Sequence, residues 1–301
     1  MFVKLFAESG LSLDRLKTLL EVGVAGSIAR AAEADPVRQS QYSRQIKELE
    51  DFFRIKLIER QGKGTRLTPN GRELARISRF FMMGLSNFQR GCLAEEQTFR
   101  IGAGASFTRQ FLLPMLAAAQ TSPASYATEA AGDAEIERRL HDLTLDFGVV
   151  GSAPLSRPLQ TKDLGKWKLA LWVPRALNLN EADARREFRA RRLPLVLARS
   201  EPGTPAVVPL AKYPARLVCD NFVEAKAVLE TRKLAAFLPG FLMPGKPADP
   251  FIRVRIPEID RLSFHFFLAW NPRLLRLNPH AGRRRDWLVG VLSGEIRNGP
   301  A

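Results

Sequence analysis

Gly26-Ser27-Ile28-Ala29-Arg30-Ala31-Ala32-Glu33, then Gln39, Ser43-Arg44-Gln45-Ile46 and Leu49-Glu50, then Leu57-Ile58-Glu59-Arg60 and Leu67-Thr68-Pro69-Asn70-Gly71: the reading of these pieces decides the fold. Ser27 is an N-cap for a short helix whose alanines, Ala31, Ala32 and Ala34, allow close crossing by a neighbour. Asp35 and Pro36 interrupt the helical run, because proline disfavours helical geometry in the residue before it. A further helix is expected from about Arg38 to Phe52. Tyr42, Ile46, Leu49 and Phe53 recur on it at helical spacing as a core stripe, and Ser40, Gln41, Arg44, Gln45 and Lys47 form a polar, basic opposite face. Residues 56–60 and 65–67 flank Gln61-Gly62-Lys63-Gly64, which reads as two short strands around a glycine turn, a wing. Thr68 then caps a new helix with Pro69 at its first position, where a missing N–H costs little.

Working outward, Leu13, Leu16, Leu19 and Leu20 give an earlier helix one buried face, ended by Gly23 and Gly26. The helix from Thr68 extends to about Leu93. Leu74, Ile77, Phe81, Leu85, Phe88 and Cys92 alternate at three and four along it, close to the coiled-coil repeat. That stripe is wider than one short neighbour can cover. Dimerisation through it is the favoured expectation, packing within the chain the alternative, and Gly84 and Gly91 weaken the helix as a free rod. Beyond Thr98, strands and helices alternate: 99–103, 126–130, 145–150, 167–173, 193–198, 216–219, 234–238 and 262–269 read as strands. Helices are expected at 109–119, 134–143, 222–231 and 285–292. This order implies parallel sheets with right-handed crossovers, divided between two small lobes.

A chain of 301 residues exceeds one ordinary core, so several folding units are expected. No apolar run approaches the roughly 20 residues of a membrane span, and the first residues lack a signal-peptide pattern, so the expected compartment is the cytoplasm, with no membrane partner. The net charge of +15 favours polyanions. It divides as +6 over residues 1–94 and +9 over the remainder, so pattern and not charge must argue for DNA. Cys92 and Cys219 are far apart and read as unreactive thiols. His141, His265 and His280 sit singly with no paired cysteine or carboxylate, so no metal is expected. Gly102-Ala103-Gly104 lacks the third glycine of a dinucleotide motif and no cofactor is expected. Arg283-Arg284-Arg285 reads as a solvated patch.

The opening constellation resembles the N-terminal domain of LysR-type transcriptional regulators. The similarity continues more weakly through Leu112-Leu113-Pro114, Gly132, Leu140, Leu145-Asp146-Phe147-Gly148-Val149 and Leu238-Pro239. The resemblance implies a winged helix-turn-helix over residues 1–68, a linker and dimerisation helix over 69–94, and an α/β effector-binding domain over 95–301. This domain is expected to be periplasmic-binding-protein-like, with lobe I at about 98–155 and 262–301 and lobe II at about 160–260. By resemblance Gln39 reads base edges, where a glutamine amide can pair bidentately with adenine. Ser43 and Arg44 match phosphate- and groove-contacting positions, Ser40, Gln41 and Lys47 share that face, and Lys63 and Arg66 are wing cations. Two positions depart from the family pattern, Arg38 in place of serine and Ser40 in place of proline. Both departures remove helix-start support, and Arg38 puts a cation at a helix N-terminus, which a nearby phosphate would relieve. Arg38 is therefore expected to be an extra DNA contact.

The partners implied are double-stranded DNA, a second copy of the chain in a homodimer or homotetramer, and a small-molecule effector held between the lobes. Helix starts after strands favour anions, so an anion is one candidate effector, with Ser106, Thr108, Arg199 and Thr204 as contacts. Ser106 and Thr204 serve equally as plain N-caps. Two other readings compete. An architectural DNA-binding protein would bind DNA without an effector, and an enzyme would use the same cleft, but no nucleophile and base pair, metal cluster or phosphate loop is visible.

Overall fold

The computed structural model describes residues 10–61, 64–93, 97–118, 124–199, 213–243 and 250–298. The chain divides into two compact units, Met1–Ala94 and Glu95–Ala301. Lys63 and Thr204 lie outside the described residues.

In the first unit, α1 (Leu13–Ala25) starts on Ser12, whose hydroxyl accepts from Arg15 N–H, and ends on Gly26 in the left-handed region at φ +67°. Ser27 caps α2 (Ile28–Ala31) by accepting from Arg30 N–H at 3.0 Å. The next helix, α3, spans Pro36–Phe53, two residues earlier than the sequence suggested. Asp35 is its N-cap, accepting from the N–H groups of Val37 at 2.8 Å and Arg38 at 3.3 Å, and Pro36 occupies the first turn. The Asp-Pro pair that reads as an interruption is therefore a helix start, and the support lost at Arg38 and Ser40 is supplied upstream. The chain turns between α2 and α3 through Glu33 and Ala34, both at positive φ.

Leu16, Leu19, Ile46, Leu49, Leu57 and Ala75 form the core of this unit. Strands β1 (Ile58–Gln61) and β2 (Gly64–Leu67) pair antiparallel from Ile58↔Leu67 to Gln61↔Gly64 and make the wing. Three contacts tie the wing to the helices. Thr65 N–H donates to Gly26 O at 3.1 Å, the buried Glu50 carboxylate accepts from Leu57 N–H at 2.8 Å and Ile58 N–H at 3.3 Å, and Thr68 donates to Lys56 O at 2.7 Å. Thr68 also accepts from Gly71 N–H at 3.0 Å, opening α4 (Pro69–Leu93).

The second unit holds two five-stranded sheets. The first has the order β4 (Ala124–Ala130), β3 (Gln97–Ala103), β5 (Phe147–Val150), β12 (Phe264–Trp270), β6 (Gln160–Trp167). Its first three strands are parallel, β12 runs antiparallel to β5, and β6 runs antiparallel to β12. The second has the order β11 (Phe251–Val254), β7 (Leu169–Pro174), β10 (Ala235–Pro239), β8 (Leu195–Ala198), β9 (Leu217–Cys219). Strands β8, β9 and β10 are parallel, and β7 and β11 antiparallel.

The strand over 160–167 thus belongs to the first lobe, not the second. One polar-looking run, Gln160–Trp167, pairs along the apolar Phe264–Trp270, and the chain crosses between sheets at Lys168. The helical segment after β3 begins at Ala105 rather than Arg109, and contains a π-turn at Thr108–Leu112 between α5 (Ala105–Phe107) and α6 (Leu113–Ala118).

Three smaller expectations are corrected. Arg284 is not merely solvated: its guanidinium lies 5.5 to 5.8 Å from the ring centroids of Phe99, Tyr126 and Trp287, and Arg285 lies 5.1 Å over Trp270. His265 does have a carboxylate partner, Asp163 on the neighbouring strand, at 2.8 Å. Ser106 is not an N-cap, because Gly104 takes that position without a side-chain bond. Among the described residues no helix is long and apolar enough to cross a membrane, and no group of three or more His, Cys, Asp or Glu is placed to hold a metal.

Candidate nucleic-acid interface and effector cleft

Helix α3 is held from behind. Ile46 and Leu49 are buried in the core, Thr18 donates to Gln45 Oε1 at 2.6 Å and Tyr42 donates to Glu21 at 2.5 Å. Gln45, expected on the free face, is instead part of this brace. With those side chains committed, Arg38, Ser40, Gln41, Ser43, Arg44 and Lys47 are left exposed along the opposite side, and Gln39 is half-buried beside them.

Charge on this face is partly balanced. Arg38 bonds Glu33 at 3.3 Å, and Arg44 lies 3.7 Å from Glu48, which also pairs with Arg15. Lys47 has no ion-pair partner among the described residues. On the wing Arg66 pairs with Glu59 across the hairpin at 2.6 Å. Exposed pairs of this kind are worth at most about 1 kcal/mol, so a phosphate can displace the carboxylates at small cost. The sequence reading missed Val37, which is 77% exposed in the first turn. It is visible only once the helix is known to begin at Pro36.

Helix α4 carries a second surface. Ile77, Phe81, Leu85 and Phe88 are between 47% and 73% exposed and recur at steps of four, four and three. Leu74, grouped with them from sequence, is half-buried against the unit's own core, which α4 enters through Ala75 together with Leu57.

In the second unit the chain crosses from β6 to β7 at Lys168, and Phe111, which follows β3 in one lobe, lies 5.0 Å from Phe241, which follows β10 in the other. This is where a two-sheet α/β domain binds ligands. Ser106 and Thr108 follow β3. Ser106 is buried, and Thr108 Oγ1 is buried without a hydrogen-bond partner among the described residues. Arg199 follows β8, its N–H bonded to Cys219 O at 2.7 Å, and its exposed side chain lies 3.5 Å from Asp220. Cys219 is half-buried, and burial pushes its thiol up, away from the reactive thiolate.

Aromatic rings, which the sequence reading did not single out, dominate the place where the lobes meet. Trp167, the last residue of β6, stacks on Phe264 at 4.6 Å and lies 5.6 Å from Phe266. Phe107 packs edge-on to Phe266 at 4.6 Å. From the other lobe Phe241 lies 5.0 Å from Phe111, and Phe222 lies 6.2 Å from Trp167. These residues are scattered over 160 positions of chain, so no local spacing marks them as a set.

A braced polar helix beside a wing, on a unit joined in one chain to an α/β unit of two sheets, defines the class: a winged helix-turn-helix protein with a two-sheet α/β second unit. The sequence matches the family model described as bacterial regulatory helix-turn-helix protein, lysR family, over residues 13–72, and the LysR substrate binding domain over residues 94–292. The chain belongs to the LysR family. It is similar to the HTH-type transcriptional regulator HdfR of Yersinia pestis (strain Pestoides F) and of Yersinia pseudotuberculosis serotype O:1b, at 28% identity over 177 residues, 58% of this chain. The chain spans 60% of the length of those curated relatives.

Among solved structures it is similar to ArgP from Mycobacterium tuberculosis, with TM-score 0.66 and 18% identity over 94% of this chain and 98% of that one. A full-length OxyR variant from Pseudomonas aeruginosa gives TM-score 0.64 and 17% identity, covering 96% of both chains. CbnR in complex with its target DNA gives TM-score 0.53 and 19% identity over 91% of this chain and 99% of that one. At these identities the likeness speaks to the fold.

Proposed function

We propose that this protein is a sequence-specific transcriptional regulator that reads double-stranded DNA through α3 and its wing, as a dimer joined along α4, under control of a small molecule bound between the lobes of the second unit. The observation that carries the reading is the exposed polar and basic row on α3, left free by a helix whose other side is fully engaged. A helix so presented fits the major groove, and the wing cations flank it at the phosphates. CbnR, with the same fold, was solved on its target DNA. Gln39 is assigned to base edges, Ser43, Arg44, Lys47 and Arg66 to the backbone, and Lys63 remains an expectation from sequence.

Binding of full-length protein to a selected DNA duplex at several salt concentrations tests these roles. Lys47→Ala lowers affinity for all sequences alike and reduces the slope of log K against log salt by about one. Gln39→Ala leaves that slope unchanged and loses about 1 to 3 kcal/mol of discrimination at one base pair. Arg38→Ser behaves like Lys47→Ala if Arg38 leaves Glu33 for a phosphate. Equal binding by Arg38→Ser at low and high salt removes Arg38 from the interface.

The exposed stripe of α4 is the proposed dimer contact. Phe81→Glu, at the centre of Ile77, Phe81, Leu85 and Phe88, buries a charge in that contact and is expected to give monomers in sedimentation at micromolar concentration, with DNA affinity reduced by more than tenfold. A variant that sediments like the wild type places the contact elsewhere.

A further inference from the structure

We infer that Val37 reads the 5-methyl group of a thymine in the major groove, an inference that rests on the reading of α3 as the helix that enters DNA. Val37 is the second residue of α3 and is 77% exposed. At about 3.6 residues per turn it stands roughly 180° around the axis from the buried Ile46 and within about 20° of Arg44. Ser40 and Gln41 follow it at steps of three and four, so Val37 heads the row of exposed polar groups that α3 presents. Among the described residues it is the one large apolar side chain exposed on that helix. The N-terminal residues of a recognition helix are those that reach base edges in the major groove.

The backbone at Val37 is fixed from two directions. Pro36 occupies the first position of the helix with its φ locked by the ring, and Val37 N–H donates to Asp35 Oδ1 at 2.8 Å. A β-branched side chain on a helix keeps one strongly preferred χ1. The two methyl groups are therefore held in place before any partner arrives, and binding has little left to order. The helix alone gives no reason for valine at this position. An exposed first turn is stabilised by an acid, through the dipole, or by a straight-chain residue, and α3 carries no acid in its first turn. Exposure by itself marks nothing, since single exposed apolar side chains are normal and Val24, near the end of α1, is 78% exposed. Val37 differs in its place at the head of the polar row.

In the major groove thymine differs from cytosine by its C5 methyl as well as by O4, and apolar side chains contact that methyl. The polar row of α3 serves base edges and phosphates by hydrogen bonding; Val37 adds the side chain suited to a methyl. Burying one methyl is worth about fourfold in affinity. That preference acts at a single base pair and leaves the salt dependence untouched, because no phosphate is involved. Residues two apart do not share a helix face, so the thymine belongs to a different base pair from the one assigned to Gln39.

The test uses full-length protein and the duplex it selects from a random pool. Each thymine is replaced in turn by deoxyuridine, which keeps the base pair and removes only the methyl. Affinity is measured by competition for wild type, Val37→Ala and Val37→Thr. The expected result is one thymine in each half-site at which a single uracil weakens the wild type about fourfold. Val37→Ala binds the thymine duplex about fourfold more weakly per half-site and is insensitive to uracil at that position, with the slope of log K against log salt unchanged. Val37→Thr, which keeps one methyl and the branched shape, falls between the two. Both variants keep the wild-type thermal midpoint, because the side chain is exposed in the free protein. Uracil tolerated by the wild type at every thymine, or uracil costing Val37→Ala as much as it costs the wild type, overturns the inference. A wild type that selects a motif yet fails these tests loses only the thymine contact; one that selects no motif loses the regulator reading itself.

Discussion

Gly71→Ala is expected to unfold the first unit under conditions where the wild type is intact. A Cβ at residue 71 would stand 2.0 Å from Leu57 O and 2.9 Å from Leu57 C, both backbone atoms. A side-chain clash can relax by changing rotamer; this one cannot. Leu57 is fully buried, its N–H is held by Glu50, and its carbonyl already accepts from Thr68 N–H at 3.0 Å. Relief therefore means moving the start of α4 away from the start of the wing. Overpacking in a well-ordered core costs typically about 1 to 3 kcal/mol, and a fixed backbone wall puts this case at the upper end or beyond. That is a large part of the roughly 5 to 15 kcal/mol that stabilises a domain. Calorimetry should show the transition of the first unit lowered or lost, the second unit unchanged, and DNA binding abolished. Gly132→Ala is the control, since nothing lies within 4 Å of its added methyl. A Gly71→Ala protein with a wild-type first transition would mean that α4 does not start against Leu57.

Glu50→Ala is expected to be the next most damaging change. The Glu50 carboxylate is buried and accepts from Leu57 N–H, Ile58 N–H and Lys56 Nζ, the last at 2.7 Å. Alanine strands the buried Leu57 N–H and uncouples α3 from the wing, a loss of about 2 to 4 kcal/mol. Glu50→Gln keeps one acceptor oxygen and loses less.

The pair also sets a pH dependence. Burial pushes the Glu50 carboxyl up, but hydrogen bonds from Lys56, Leu57 N–H and Ile58 N–H outweigh it and hold the group below its ordinary value. A depressed folded-state pKa contributes stability that is present above the unfolded carboxylate range and is lost as pH falls through the folded value. Urea midpoints should therefore fall on acidification more steeply in wild type than in Glu50→Gln. Parallel acid branches would show that Glu50 is not coupled to folding.

What the sequence revealed followed locality. Ser27, Thr68 and Pro69 act within four residues of where they stand, and so do the three and four spacings of α1, α3 and α4. The Asp-Pro pair at 35 and 36 was ambiguous for the same reason: proline ends one helix and starts another equally well, and only the position of Asp35 against Val37 N–H decides. Strand Gln160–Trp167 was missed because its polar alternation is that of an edge strand, whose apolar side appears only when Phe264–Trp270 lies beside it. The cleft rings were missed because they converge from five separate segments. Glu33 and Val37, which shape the exposed face of α3, needed the helix start to be placed first.

The central claim, that α3 reads duplex DNA by sequence, is tested most directly by in vitro selection of a random DNA pool on the full-length protein, with Gln39→Ala in parallel. The account predicts enrichment of an inverted repeat, with half-site spacing set by the dimer, and loss of preference at one position per half-site in Gln39→Ala. A pool that stays random, or an identical motif selected by Gln39→Ala, would contradict it.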